Sequence, residues 1–175
     1  MSNIKLSKIK LIIFGDLACG KTAMAASMTG KKSKYDLPTI GVQPFINNKE
    51  DLKLEIWDTS GSRNYIGIYT YYDTDISYYV VCVDLSKPYD EYRIRFWLEY
   101  LHITGPIMVV GTKKDKRIQN VSYESYCDEN GMLYSETTIN DHTSYEETLR
   151  MMIEDIERKK PPYGFCETFW KSIGF

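Results

Sequence analysis

The eight residues Gly15-Asp16-Leu17-Ala18-Cys19-Gly20-Lys21-Thr22 constrain this chain more than any other stretch. They follow the apolar run Ile9–Phe14 and open the helix-forming segment Lys21–Thr29, so the motif GxxxxGK[ST] falls in a strand-to-helix turn. In such a turn the backbone N–H groups from Leu17 to Thr22 curl around an anion, and the helix N-terminus adds its partial positive charge. Gly15 and Gly20 let the backbone approach that anion closely. Lys21 then has the reach for β- and γ-phosphates, and the Thr22 hydroxyl is placed to ligate Mg²⁺.

The rest of the chain repeats strand and helix. Short β-rich runs stand at Ile9–Phe14, Leu52–Trp57, Ser77–Asp84, Ile107–Gly111 and Met132–Ser135, with helix-like stretches at Tyr89–Ile103, Ser122–Asn130 and Ser144–Lys160. Val80–Val83 and Ile107–Val110 are apolar on both faces, the signature of parallel strands covered by helices. Leu52, Leu54 and Ile56 alternate with Lys53, Glu55 and Trp57 and read as a half-exposed edge strand. The polar cluster Asn47–Asp51 predicts an antiparallel hairpin between that strand and residues near Phe45. Ser144 with Glu147 reads as a capping box, Leu149, Met152, Ile153 and Ile156 as the inward face of the last helix, and Pro161-Pro162 as its stop. The expected fold is a doubly wound α/β domain: six strands, mostly parallel, one antiparallel edge strand, helices on both faces.

Two further stretches extend the anion site. Asp58 in Ile56-Trp57-Asp58-Thr59-Ser60-Gly61 leaves a strand beside the phosphate loop, placed for the Mg²⁺ shell, and Gly61 offers an N–H to a γ-phosphate. Thr39 in Pro38-Thr39-Ile40-Gly41 supplies a second hydroxyl from a loop long enough to swing over the metal.

With these motifs in this order, the chain resembles the Ras superfamily of small GTPases, a P-loop NTPase family, and within it the Rab-like branch. The resemblance runs from about Ile9 to about Lys160 and rests on Gly15-Asp16, on Thr39-Ile40-Gly41-Val42, and on Ile56 to Gly61. It implies a molecular switch that binds GTP or GDP with Mg²⁺ and signals through two switch loops. The phosphate-binding residues would be Gly15, Leu17, Ala18, Cys19, Gly20, Lys21, Thr22, Thr39 and Gly61, and the metal ligands Thr22, Thr39 and Asp58. Ile40, Trp57 and Tyr65 fall where effectors and exchange factors read Rab-like proteins. For the base, Gly111-Thr112-Lys113-Lys114-Asp115 follows a buried strand. A carboxylate accepts from both N1–H and the exocyclic amine of guanine, which adenine cannot match, so Asp115 is the candidate reader and Lys113 the residue packing over the ring. Thr112 stands where most members have Asn, as in Rho-like ones. The stretch from Val121 to Thr138 resembles the family's approach to the guanine pocket, with Thr138 and the Ile139 N–H facing the base.

Departures from the pattern bear on hydrolysis and affinity. Ser62 stands where the family carries the Gln that orients the attacking water, and Leu17 where small residues are usual. No firm catalytic residue remains; Lys21 and Gly61 support. Ala18 and Cys19 alter packing in the same loop. The expectation is weak GTP hydrolysis. Thr138-Ile139-Asn140 replaces the more usual Ser-Ala-Lys, which loosens the fit to the base. Two rivals stay open: a pseudo-GTPase scaffold with little or no turnover, and an ATP-using enzyme, which Thr112–Asp115 argues against.

Charge and composition narrow the partners. The 22 basic and 24 acidic residues cancel to −2, which excludes a large basic footprint for nucleic acid. No apolar run approaches the length of a transmembrane helix, and the first apolar run is too short for a secretory signal. Cys19, Cys82, Cys127 and Cys166 form no CxxC pair and fit reduced thiols in a cytoplasmic protein, peripheral to membranes at most. His102 and His142 read as structural or surface residues. Residues 1–162 are expected to form the G domain and 163–175 an aromatic tail, with Phe165, Phe169 and Ile173 on one helical stripe. The last four residues lack Cys, so no prenylation box is expected.

Overall fold

Alternation along β1 (Ser7–Gly15) sorts its side chains into two cores. Ile9, Leu11 and Ile13 join a cluster on one face of a sheet, while Ile12 and Phe14 join another on the opposite face. The same sorting holds in β4 (Tyr78–Asp84), where Val80 and Cys82 face one way and Tyr79, Val81 and Val83 the other. It holds again in β5 (Ile107–Thr112), with Met108 and Val110 opposed to Val109. Each such buried aliphatic side chain stabilises the fold by about 1.5–3 kcal/mol relative to exposure. The computed structural model describes residues 7–31, 37–49, 52–69, 71, 75–101, 103 and 105–159.

With β2 (Val42–Lys49), β3 (Leu52–Thr59) and β6 (Leu133–Glu136), these strands form one six-stranded sheet in the order β2-β3-β1-β4-β5-β6. Every neighbouring pair is parallel except β2–β3, the antiparallel hairpin expected from the polar turn. The edge strand is β2, however, and not the Leu52–Trp57 run. Pro44, which lacks an N–H, is tolerated because β2 pairs on one side only. β3 lies one strand in. The polar half of its alternation reflects charge pairing rather than solvent: Glu55, 7% exposed, accepts from Trp57 Nε1 at 2.9 Å and meets Lys8 at 3.4 Å and Lys53 at 3.5 Å.

Two helices cover the first face, α1 (Lys21–Met28) through Met24, Ala25 and Met28, and α5 (Thr143–Lys159) through Tyr145, Leu149, Met152 and Ile153. The other face carries α2 (Ile66–Tyr69), α3 (Tyr92–Leu101) and α4 (Glu124–Glu129), contributing Tyr69, Ile94, Trp97 and Cys127. Trp97 lies nearly parallel to Phe14 at 6.1 Å and edge-on to Phe96 at 5.4 Å. The helix expected at Tyr89–Ile103 begins later, at Tyr92, and α2 was too short to show in the sequence. Ser144 is inside α5 rather than capping it: its hydroxyl donates to the Asp141 carbonyl at 2.6 Å and accepts from the Thr138 N–H at 3.3 Å. The Asp141 carboxylate takes the capping role instead, accepting from the Thr143 N–H at 3.0 Å. Among the described residues no helix is long and apolar enough to cross a membrane. The expected tail at 163–175, with Cys166, the proline stop and His102, lies outside the described residues.

β1 is the strand about which the chain switches direction, β3 to one side and β4 to the other. In open α/β sheets the crevice at the carboxyl end of that strand is where ligands bind. The phosphate loop leaves β1 there.

Candidate functional site

Gly15 ends β1 with φ of +141°, and a β-carbon on it would stand 2.4 Å from the Cys82 carbonyl oxygen and 2.8 Å from Cys19 Sγ. Only glycine fits. The loop then doubles back so that the Lys21 ammonium donates to the Gly15 carbonyl at 2.8 Å and the Asp16 carbonyl at 2.7 Å, with Cys19 Sγ a weaker third acceptor at 3.7 Å. Gly20 precedes α1 with no side-chain cap, so the first-turn N–H groups keep their capacity for an anion. Ala18, exposed, takes a left-handed φ of 57° to complete the turn. Cys19 is buried beneath the loop. The Cys82 thiol donates to it and lowers its pKa to about 7, against burial and with help from Lys21, while Cys82 itself is pushed well up.

The three residues expected at a metal stand together. Thr22 Oγ1 and Thr39 Oγ1 donate to Asp58 Oδ2 at 2.7 and 2.8 Å, and the two hydroxyls are 3.0 Å apart. Asp58 is fully buried, its Oδ1 has no partner among the described residues, and burial pushes its carboxyl pKa up despite both hydroxyls and the Lys21 charge. One unpartnered carboxylate oxygen and two converging hydroxyls are hard oxygen donors, the kind that suits Mg²⁺ when waters and phosphate oxygens complete the shell. The donor set therefore fits. β3 holds Asp58 in place because Thr59 Oγ1 donates to the Ile13 carbonyl of β1 at 2.7 Å.

Leu17, Gly20, Lys21, Thr22, Thr39 and Gly61 line one cleft of about 590 Å³. Ser62 follows Gly61 in extended conformation, its N–H donating to the Ser60 hydroxyl at 3.3 Å. Next to it the Arg63 guanidinium lies 3.7 Å above the Phe96 ring of α3. The Tyr69 hydroxyl donates to the Ser60 carbonyl, and burial pushes its pKa up to about 12. Leu17 is 52% exposed at the mouth of the cleft. Of the three residues expected to meet protein partners, Ile40 is 79% exposed, whereas Tyr65 and Trp57 are half-buried, with the Lys10 ammonium 5.1 Å from the Trp57 ring centroid.

Residues expected at the base gather beyond the other end of the loop. The Thr112 hydroxyl bonds to the Cys19 carbonyl, and to the Val83 carbonyl at 3.1 Å, so the end of β5 is tied to the phosphate loop. Lys113, left-handed at φ 57°, donates to Asp84 Oδ2 at 2.7 Å. Burial opposes the Asp84 charge, but Lys113 and Ser86 outweigh it and hold the carboxyl below its usual range. Asp115 Oδ1 accepts from the buried Thr138 hydroxyl at 2.6 Å, and Oδ2 from the Asn140 amide at 3.0 Å. Ile139 is 65% exposed beside them. Asp84, Asn140 and Arg63 were not singled out for these roles by the sequence. The only signal for Asn140 was its place in the departing Thr138-Ile139-Asn140 stretch. His142 is exposed, 3.4 Å from Glu146, and no cluster of three His, Cys, Asp or Glu side chains occurs among the described residues.

Comparison with known proteins agrees with this architecture. The model of the Ras family matches residues 10–158. The chain is 24% identical to the Ras-related protein Rab5A of Oryza sativa subsp. japonica, over 91% of this chain and 87% of that one. It is 27% identical to Rab-5A of Dictyostelium discoideum, over 78% and 75%, and 27% identical to Rab-39A of Mus musculus, over 89% and 81%. A match across nearly the whole described sheet, onto relatives that all carry Rab names, means that the chain belongs to the Ras family of small GTPases and is Rab-like within it.

Proposed function

We propose that this chain is a guanine-nucleotide switch that binds GTP or GDP with Mg²⁺ and hydrolyses GTP slowly. The observation that carries the reading is the convergence of the Thr22 and Thr39 hydroxyls on Asp58 Oδ2, beside the buried and unpartnered Oδ1, at the cleft that both threonines line with Lys21 and Gly61. In this reading Lys21 exchanges its weak contact with Cys19 Sγ for the β- and γ-phosphates, and the N–H groups from Leu17 to Thr22 hold the remaining charge. Thr22, Thr39 and Asp58 would hold Mg²⁺, which would supply positive charge beside the phosphate oxygens. Gly61 donates its N–H to the γ-phosphate, so the loops around Thr39 and Gly61 order only around the triphosphate. Asp115 reads the guanine, Thr138 holds its carboxylate, and Lys113 and the Ile139 N–H flank the base.

Hydrolysis is slow because Ser62 is too short to orient a water beside the γ-phosphate and Leu17 crowds the approach of an arginine supplied by another protein. Effectors and exchange factors meet the surface that includes Ile40, Trp57 and Tyr65. The guanine-nucleotide domain spans residues 1–162, and the protein works in the cytoplasm, peripheral to membranes. Chromatography of the nucleotide released on denaturing the purified protein tests the reading. GDP or GTP supports it; an empty protein with no affinity for either refutes it.

A second reading, a nucleotide-independent scaffold, is favoured by one observation: both oxygens of Asp115 already have partners within the chain. The same measurement separates the two.

A further inference from the structure

The two carboxylate oxygens of Asp115 are held by side chains of different character. Thr138 is 8% exposed, and its hydroxyl reaches Oδ1 at 2.6 Å from within a tight turn in which its own N–H is tied to Ser144 at 3.3 Å. That contact sets the carboxylate's orientation. Asn140 is exposed, sits two residues further along the turn, and brings one amide N–H to Oδ2 at 3.0 Å. Its backbone N–H donates to Thr138 Oγ1 at 3.3 Å, so both residues address the carboxylate from one small loop.

Guanine presents two adjacent donors and needs both carboxylate oxygens to accept them. A primary amide is also a planar donor group of similar polarity. We infer that Asn140 is a built-in competitor for the base: Thr138 holds Oδ1 from inside the turn and leaves its outer lone pair, whereas the exposed Asn140 amide takes Oδ2 from the solvent side that a guanine must use, so the base site opens as that side chain swings out. This rests on the reading of Asp115 as the guanine acceptor. The consequence is a guanine affinity, and a margin over adenine, held down by residue 140. Because Asn140 already supplies a donor to Oδ2, guanine replaces one hydrogen bond with another instead of adding one. The net gain from guanine is reduced by the worth of a solvent-exposed bond to a charged acceptor. Adenine, which offers Asp115 no such pair of donors, is unaffected.

The test is Asn140→Ala in the full chain, with GDP and ADP affinities measured in the presence of Mg²⁺ by nucleotide titration. Loss of the competitor is expected to tighten GDP about threefold to tenfold, the equivalent of one modest hydrogen bond, and to leave ADP unchanged. The gain must vanish when Asn140→Ala is made on an Asp115→Ala background, since the cycle then removes the acceptor itself. Unchanged or weaker GDP binding by Asn140→Ala, with wild-type binding dependent on Asp115, overturns the inference and leaves the guanine reading standing. Equal binding of GDP and ADP by the wild type and by Asp115→Ala overturns the guanine reading, and the inference with it. Residue 140 is exposed, and a thermal melt matching the wild type shows that the variant folds.

Discussion

Gly61 lies against the backbone of Leu17 so closely that a β-carbon on it would stand 2.4 Å from the Leu17 nitrogen and 2.6 Å from the Asp16 carbonyl oxygen. The segment that follows β3 and the phosphate loop are therefore in backbone contact, with no side chain between them. Gly61→Ala forces the two apart. The variant is expected to fold, because Gly61 is only half-buried at the cleft, but to lose at least about tenfold in affinity for a triphosphate relative to a diphosphate, or ~1.4 kcal/mol. Paired GTP and GDP titrations check this; an unchanged ratio would count against contact between Gly61 and the γ-phosphate.

The proposed slow hydrolysis rests on two side chains, Ser62 and Leu17, and exchanging both tests it. Ser62→Gln supplies an amide long enough to orient water, and Leu17→Gly clears the mouth of the cleft, where the leucine is 52% exposed. The double variant is expected to raise the single-turnover rate by at least about tenfold, ~1.4 kcal/mol off the barrier. Nucleotide affinity should change far less, because neither side chain is expected to hold the phosphates.

Thr112→Val keeps the shape of residue 112 and deletes the hydroxyl that bonds to the Cys19 and Val83 carbonyls. The loss is expected to cost about 1–2 kcal/mol in urea unfolding, since a buried carbonyl on the phosphate loop is left short of a partner. GDP should dissociate faster, measured by displacement of a fluorescent analogue.

Acid stability turns on Asp155. Burial alone would raise its pKa, but Lys159 at 2.5 Å, the Tyr78 hydroxyl at 2.7 Å and Arg158 at 2.5 Å outweigh burial and hold it below the usual carboxylate range. A depressed pKa contributes stability that is present above the ordinary value of about 4 and lost as pH falls through the folded-state value. Both cations are more than half exposed, so solvent screens the pair and the contribution is about 1 kcal/mol. Melts of Asp155→Asn and wild type should differ at pH 7 and converge well below pH 4. A gap that persists in acid would assign the cost to packing.

How much of this was legible in the sequence depended on whether a feature was local. Gly15 to Thr22 declares its turn within eight residues, and Val80–Val83 declares its two-sided burial within four. Thr22, Thr39 and Asp58 could be grouped because each sits at a fixed offset from a recognisable motif. The edge strand was misassigned because Glu55 and Trp57 look solvent-facing, and nothing in one strand reveals that Lys8, on the neighbouring strand, pairs with Glu55. Ser144 looked like a cap because its spacing to Glu147 is right, yet its hydroxyl is drawn to Thr138 and Asp141 in the preceding turn. The contacts of Arg63 with Phe96, and of Asn140 with Asp115, join segments that only the fold brings together, so no periodicity encodes them.

The ring of Phe96 beneath Arg63 gives the outer helix a hold on the residue next to Ser62. Phe96 is itself only 5% exposed and packs against Tyr92, Trp97 and Tyr100, so the guanidinium caps a buried aromatic cluster and moors the segment after Gly61 to the flank of the sheet.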